Sequence, residues 1–246
     1  MDAVGSTLSG PADGVAAIGA DVPAAPMMDR MASAPPEAGH PARVPLVPAS
    51  SLPGHPDVLV GTQADAVDVL LGGNALDVAA VLNCARDDWL FQLRHGRCGE
   101  AARQALPELE AAFRGLEDLG GGVFAGEVRG VRYCCFAARD RDRVDPIVIG
   151  GEVAVQGLEP YNLAQHLPAA VAFAREQAAA GRRLLIHCLR GENRAGCTAA
   201  AFLTAEAGLD AEDAVERVRQ ARGPFACGNR AFVEQVRAFA AGAGRP

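Results

Sequence analysis

Short apolar runs alternate along this chain with longer stretches in which apolar residues recur at helical spacing. The runs predict buried strands over 58–61, 80–85 and 184–187, and a hairpin of 123–128 with 131–137. The helical spacing predicts helices over 99–119, 163–180, 195–207, 211–221 and 230–240. This alternation predicts an α/β sandwich with a central, largely parallel sheet.

The first part of the chain has a different composition. Residues 1–56 are rich in Ala, Pro, Gly and Ser and contain few large apolar side chains. Such a stretch cannot bury enough apolar surface to offset the entropy of ordering it, which predicts a disordered tail. We therefore expect one folded domain over 57–241, followed by a short tail over 242–246.

Charge and cysteine content exclude several classes of function. The net charge is −7 and the pI is near 5.3, so bulk charge does not favour binding of nucleic acid or of an anionic membrane. The seven cysteines contain no Cys-x-x-Cys pair, which argues against structural zinc, and we expect no metal or other cofactor. No apolar run reaches the ~20 residues of a spanning helix. We expect a cytoplasmic protein, with the nucleus as the alternative location.

One segment between a predicted strand and a predicted helix carries a full set of groups for binding and attacking an oxyanion. Its sequence is His187-Cys188-Leu189-Arg190-Gly191-Glu192-Asn193-Arg194. A helix N-terminus favours the thiolate of a cysteine, which is the nucleophilic form. Loop N–H groups can converge on an anion, and the planar guanidinium of Arg194 matches two phosphate oxygens.

This segment resembles the His-Cys-x5-Arg signature of cysteine-dependent phosphatases, and the wider chain resembles their dual-specificity family. The resemblance covers residues 57–241. It includes weaker matches at 58–66, 81–85, 133–140, 208–214 and 229–235. It implies a protein tyrosine phosphatase-like sandwich, with insertions near 99–122 and 141–160.

The resemblance implies roles for three residues. Cys188 is the expected nucleophile, which forms a phosphocysteine that water then hydrolyses, and Arg194 binds the phosphoryl oxygens. Asp140 is the expected general acid. Alternatives to it are Asp142, Asp145 and Glu152, and a solvated charge cluster is the other interpretation of 140–143. The substrate-binding residues are expected to be Leu189, Arg190, Gly191, Glu192, Asn193 and His187.

Two further residues affect the expected chemistry. The family usually has Ser or Thr directly after the arginine, whereas this chain has Ala195. We expect slower hydrolysis of the phosphocysteine, because no hydroxyl stabilises the leaving thiolate. Cys84 ends a predicted strand, where it is either a small core residue or a partner for a reversible disulfide with Cys188.

We therefore predict a phosphatase of phosphotyrosine and also of phosphoserine or phosphothreonine in proteins. The alternatives are a weakly active domain that binds phosphorylated partners, or a phosphatase of RNA 5′-triphosphate or phosphoinositides. The expected partner is a phosphorylated protein, with no nucleic acid and no membrane. The sequence does not give the oligomeric state.

Overall fold

The computed structural model describes residues 48–141, 147–149, 152–155 and 159–242. Their strands are β1 Ser50–Leu52, β2 His55–Gly61, β3 Ala80–Asn83, β4 Glu117–Asp118, β5 Phe124–Val128, β6 Val131–Cys135, β7 Ile147–Ile149, β8 Glu152–Val155 and β9 Leu184–His187. Seven of them form one sheet in the order β1-β2-β9-β3-β6-β5-β4, and β7 and β8 form a separate hairpin. The four central strands, β2, β9, β3 and β6, run parallel.

Helices flank this sheet. They are α1 Gln63–Leu71, α2 Arg86–Arg94, α3 Glu100–Gln104, α4 Leu106–Arg114, α5 Leu167–Ala179, α6 Arg194–Ala207, α7 Ala211–Arg222 and α8 Arg230–Gly242. Successive residues of a strand face opposite sides of the sheet, so each central strand serves two cores. Leu184 and Ile186 pack in the core that contains residues of α5 to α8, whereas Leu185 packs in the core that contains Trp89 and Leu93 of α2. The predicted α/β sandwich with a largely parallel sheet is confirmed.

The register of the central strands gathers their carboxyl ends at one edge. Gly61 of β2 and Asn83 of β3 both lie opposite His187 of β9. Cys135 of β6 in turn lies opposite Asn83. Open α/β sheets bind ligands at this edge, and Cys188 follows β9 directly at that place.

The N-terminal boundary differs from the expected one. Residues 1–47 of the predicted tail, and 243–246 at the other end, lie outside the described residues. The predicted tail extends to residue 56, but the fold begins earlier. Ser50 and Ser51 pair with β2, and Leu52 is buried. The buried side chain of Leu52 and the pairing with β2 therefore join this Ser- and Pro-rich stretch to the folded domain.

The helix predicted over 99–119 is also wrong in detail. It is divided at Ala105 into α3 and α4, and the short β4 follows. Pro107 lies in the first turn of α4, where its missing N–H is tolerated, whereas it would interrupt one continuous helix. The start predicted at Leu163 moves to Leu167 of α5 for the same reason, since Pro168 lies in its first turn. The predicted hairpin is confirmed as β5 and β6.

Within the described residues, no helix has the length and apolar character needed to cross a membrane.

Candidate active site

The signature loop, residues 188–193, connects β9 to α6. The thiol-bearing Cys188 is buried, with 3% of its surface exposed. Asn193 immediately precedes α6, and its side chain makes no capping hydrogen bond to that helix. The first amides of α6 are therefore not satisfied by a side-chain cap, and the positive end of the helix dipole lies beside Cys188.

The carbonyl groups of residues 189–193 all accept hydrogen bonds from outside the loop. Leu189 O accepts from Gln63 N at 3.2 Å, and Glu192 O accepts from Cys227 N at 3.3 Å. Asn193 O accepts from Cys197 N in α6 at 2.8 Å. Because the C=O and N–H of a peptide point in opposite directions, these carbonyl contacts leave the N–H groups on the other side of the loop.

Arg222, at the end of α7, binds the two remaining carbonyls. Its Nη2 donates to Arg190 O and its Nε to Gly191 O, both at 3.2 Å. Its Nη1 donates to Pro48 O and, at 3.5 Å, to Ser50 Oγ. This buried guanidinium joins the back of the signature loop to the strand at the edge of the sheet.

The N–H groups of the loop differ from its carbonyls in their hydrogen bonding. Across the part of the chain that the structure describes, no backbone N–H of residues 189–193 has a hydrogen-bond partner. Successive backbone N–H groups without partners can form an anion-binding concavity. This arrangement at the α6 N-terminus is compatible with the predicted oxyanion nest, which stays a prediction.

Gly191 is required by this geometry. Its φ of +71° lies in the left-handed region, and a Cβ at this position would be 2.5 Å from Gly61 O and 2.6 Å from Arg222 Nη2. No side chain fits without moving the backbone of β2. The loop therefore depends on glycine for both its turn and its close approach to the sheet.

Arg194 is the first residue of α6 and is almost fully buried. Its Nη1 donates to Asp88 Oδ2 at 2.5 Å and to Ala138 O at 3.0 Å. Its Nε is buried and has no partner in the described residues. Burial opposes the charge, but Cys188 and Asp88 more than compensate and raise the pKa of Arg194. One edge of the guanidinium is thus fixed, and Nε remains available to an anion.

Sequence reasoning missed Asp88. It lies in the first turn of α2, just after β3, and so at the same carboxyl edge as Cys188. The available signal was a pair of acidic residues, Asp87 and Asp88, at the start of the helix that follows a central strand.

His187 is fully buried at the end of β9. Burial lowers its pKa to about 4, so the imidazole is neutral at neutral pH. Its Nδ1 lies 3.4 Å from Cys188 O, and its ring meets that of Trp89 edge-on at 5.6 Å between centroids. These contacts suit a residue that orients the loop rather than one that exchanges protons.

Asp140 lies beside the signature loop, although it is 48 positions before Cys188 in the sequence. Its Oδ2 accepts from Asn193 Nδ2 at 3.0 Å and its Oδ1 from Asn229 Nδ2 at 3.1 Å. Among the alternative acids, Asp142 and Asp145 lie outside the described residues. Glu152 belongs to β8, and its side chain is not described.

Two charged side chains of the loop neutralise each other. Arg190 donates from Nε and Nη2 to the two carboxylate oxygens of Glu192, at 3.1 and 3.0 Å. This bidentate pair is partly exposed. It reduces the positive charge that the loop presents to a substrate.

Cys84 lies beside Cys188, because Cys84 N donates to His187 O at 2.8 Å across the neighbouring strands. Burial raises the pKa of the Cys84 thiol, which is therefore protonated. Its Sγ lies 3.6 Å from Thr198 Oγ1, and that hydroxyl donates to Arg194 O. Ala195 is fully buried between Arg194 and the rest of α6.

Comparison with known proteins gives one family and several similar structures. Residues 152–241 match the family model "Dual specificity phosphatase, catalytic domain". Human DUSP28 is 18% identical, with 81% of this chain and 98% of that chain covered and a TM-score of 0.49. A mouse putative dual specificity phosphatase, complexed with zinc tungstate, is 18% identical, with 83% and 93% covered and a TM-score of 0.48. The human tyrosine phosphatase-like serine/threonine/tyrosine-interacting protein is 12% identical, with 78% and 95% covered and a TM-score of 0.48.

The matched stretch contains β9, the signature loop and α6 to α8, which include both Cys188 and Arg194. The match ends at residue 241, within α8. The predicted resemblance to the dual-specificity phosphatase family is confirmed over residues 152–241, the stretch that the family model matches.

Proposed function

We propose that this protein is a phosphatase that hydrolyses phosphomonoesters on proteins through a phosphocysteine intermediate. The observation that carries the proposal is the set of unpaired groups around Cys188: the amides of residues 189–193 and the buried Nε of Arg194. A phosphoryl group offers oxygens for all of them, and its phosphorus would lie over the thiolate.

In the first step the Cys188 thiolate attacks phosphorus and forms the S–P bond, while the bond to the leaving oxygen breaks. Asp140 gives its proton to that oxygen, so an alcohol or phenol leaves. The equatorial oxygens remain bound to the loop amides and to Arg194, whose orientation is maintained by Asp88 and Ala138 O.

In the second step water attacks phosphorus and the S–P bond breaks. Asp140, now a carboxylate, takes a proton from the water, and inorganic phosphate and the thiolate result. Ala195 has no hydroxyl to donate to the departing sulfur, so this step is expected to limit turnover.

The proposed substrates are phosphotyrosine and also phosphoserine or phosphothreonine in proteins. The ion pair of Arg190 with Glu192 supports a singly phosphorylated site over a polyanion, since the loop presents little net charge beyond Arg194. Phosphoinositides and RNA 5′-triphosphate are therefore the weaker substrates in this proposal.

A second candidate function is a domain that binds phosphorylated partners but turns them over slowly. Two observations favour it: Ala195 after the arginine, and an Asp140 whose carboxylate oxygens both accept hydrogen bonds. The anion nest and Arg194 would bind the phosphate equally well in either case.

The test compares the wild-type protein with Cys188→Ser and with Cys98→Ser, a matched control in the segment between α2 and α3. Hydrolysis of p-nitrophenyl phosphate and of a phosphotyrosine peptide should fall at least about a thousandfold in Cys188→Ser only. Peptide binding without measurable turnover in the wild type would support the binding domain instead. Faster turnover of triphosphorylated RNA or a phosphoinositide than of the peptides would replace the substrate class.

A further inference from the structure

Asn229 is the residue from which this inference starts. It precedes α8, and its Oδ1 accepts from Phe232 N at 3.2 Å, as an N-cap residue does. It is buried, with 5% of its surface exposed. One half of its amide is therefore used by the helix that follows it.

The other half of the amide points to the acid. Asn229 Nδ2 donates to Asp140 Oδ1 at 3.1 Å, while Asn229 N donates to Asn193 Oδ1 at 3.0 Å. Asn193 Nδ2 then donates to Asp140 Oδ2 at 3.0 Å. The two amides and the carboxylate thus form a closed set of hydrogen bonds between the acid, the signature loop and α8.

This set of bonds determines where the carboxylate points. Asp140 is exposed, and its side chain has no other hydrogen-bond partner in the described part of the chain. Without the two amides it would sample several rotamers, and misplacing a reacting group by about 1 Å can cost about a hundredfold in rate. A carboxylate has roughly four lone-pair sites, so hydrogen bonds from the two side-chain amides still leave a site for the transferred proton.

We propose that Asn229 is a positioning residue for the proton transfer by Asp140. This inference rests on the proposed function, because it assigns to Asn229 the orientation of the proposed acid. Asn193 holds the same carboxylate from the signature loop. The start of α8 and the loop would then fix the acid relative to the nucleophile.

The experiment uses two variants that retain an oxygen to cap α8, Asn229→Ser and Asn229→Asp. Each is assayed on p-nitrophenyl phosphate, whose leaving group needs little protonation, and on phenyl phosphate, whose leaving group needs a proton. In Asn229→Ser the phenyl phosphate rate should fall about tenfold more than the p-nitrophenyl phosphate rate. The ratio of the two rates does not depend on how much of the protein is folded.

Asn229→Asp places a second carboxylate against Asp140. A like charge favours the protonated acid, so the alkaline limb of the kcat/KM profile should move to higher pH. Gln104→Ala, which removes an exposed amide of α3, is the matched control and should leave both the ratio and the limb unchanged.

Asp140→Asn separates this inference from the proposed function. It should change the rate ratio at least as much as Asn229→Ser, and the double variant should be no worse than Asp140→Asn alone. If Asp140→Asn changes the ratio and Asn229→Ser does not, the positioning role is wrong. If Cys188→Ser still hydrolyses both substrates, the proposed function itself is wrong.

Discussion

The signature loop and the segment that carries Asp140 are held in place by different kinds of contact. Every carbonyl of residues 189–193 accepts a hydrogen bond. The donors lie at the start of α1, in α6 and α7, and at Cys227. Asp140 is held through the side chains of Asn193 and Asn229.

The two regions therefore differ in the substitutions that they tolerate. Backbone contacts of the loop depend on the path of the chain and survive most side-chain changes, except at Gly191 and Arg222. The position of Asp140, the proposed acid, depends on individual side chains, so a single substitution can move it. We therefore expect changes in the loop to abolish anion binding, and changes around the acid to alter rates while binding persists.

The largest expected effect comes from Gly191→Ala. The new Cβ would meet the backbone of Gly61, so the loop must move and its amides no longer converge. Vanadate inhibition and kcat/KM should weaken by at least about a hundredfold, as for the loss of an oxyanion donor. Gly181→Ala shares a positive φ but has no atom within 4 Å of the new Cβ, and it should retain activity. Unchanged vanadate inhibition in Gly191→Ala would contradict the conclusion that backbone contacts hold the loop in place.

The next effect is a pH dependence of the stability of the folded protein, which arises from His187 beside the signature loop. Burial lowers the pKa of His187 to about 4, whereas an unfolded histidine titrates near 6.5. The unfolded chain therefore binds the proton first, and stability is lost as the pH falls from about 6.5 to about 4, on the order of 3 kcal/mol. Urea unfolding across this range should show a smaller loss in His187→Asn. Exposed His95→Asn should keep the wild-type slope, and an equal slope in all three proteins would exclude a neutral, buried His187.

A smaller effect is expected for Asp88→Asn, which tests the contact that orients Arg194. Hydrogen bonds to charged groups contribute about 1.5–3 kcal/mol, and the half-exposed Asp88 side chain places this one at the lower end. We expect kcat to fall about tenfold, with inhibition by phosphate changed much less because the charge of Arg194 remains. Neighbouring Asp87→Asn is the control, and an equal kcat in the two variants would remove the role of Asp88.

The smallest effect is expected for Ala195→Ser. A hydroxyl that donates to the departing thiolate contributes about 1 kcal/mol, which is about fivefold in rate. The pre-steady-state burst should shrink as hydrolysis of the phosphocysteine becomes faster. Unchanged turnover with an unchanged burst amplitude would show that the missing hydroxyl is unimportant. Ala199→Ser, one turn further along α6, is the matched control.

Local patterns in the sequence predicted the sheet and the strand–loop–helix unit around Cys188. Those features depend on hydrophobic period and on a short motif, and both can be read in one window of the chain. The contacts of Asp88, Arg222 and Asn229 could not be predicted in this way. Each joins residues that are distant in the sequence, and only the register of the parallel strands and the packing of α7 and α8 bring them together.

The break between α3 and α4 shows a second limit. Apolar positions keep helical spacing through 99–119, so the period alone predicts one helix. Pro107 interrupts the backbone hydrogen bonds without disturbing that period. A pattern of side chains reports which face is buried, and the backbone donors decide where the helix begins and ends.

The guanidinium of Arg222 has a practical consequence for anyone who shortens this protein. Cutting at Asp57, where composition alone would place the start of the domain, would delete the acceptors that Pro48 and Ser50 provide. The buried guanidinium would then lose these two acceptors, and its hold on Arg190 O and Gly191 O would loosen. A preparation begun upstream of Pro48 should therefore be the more active one.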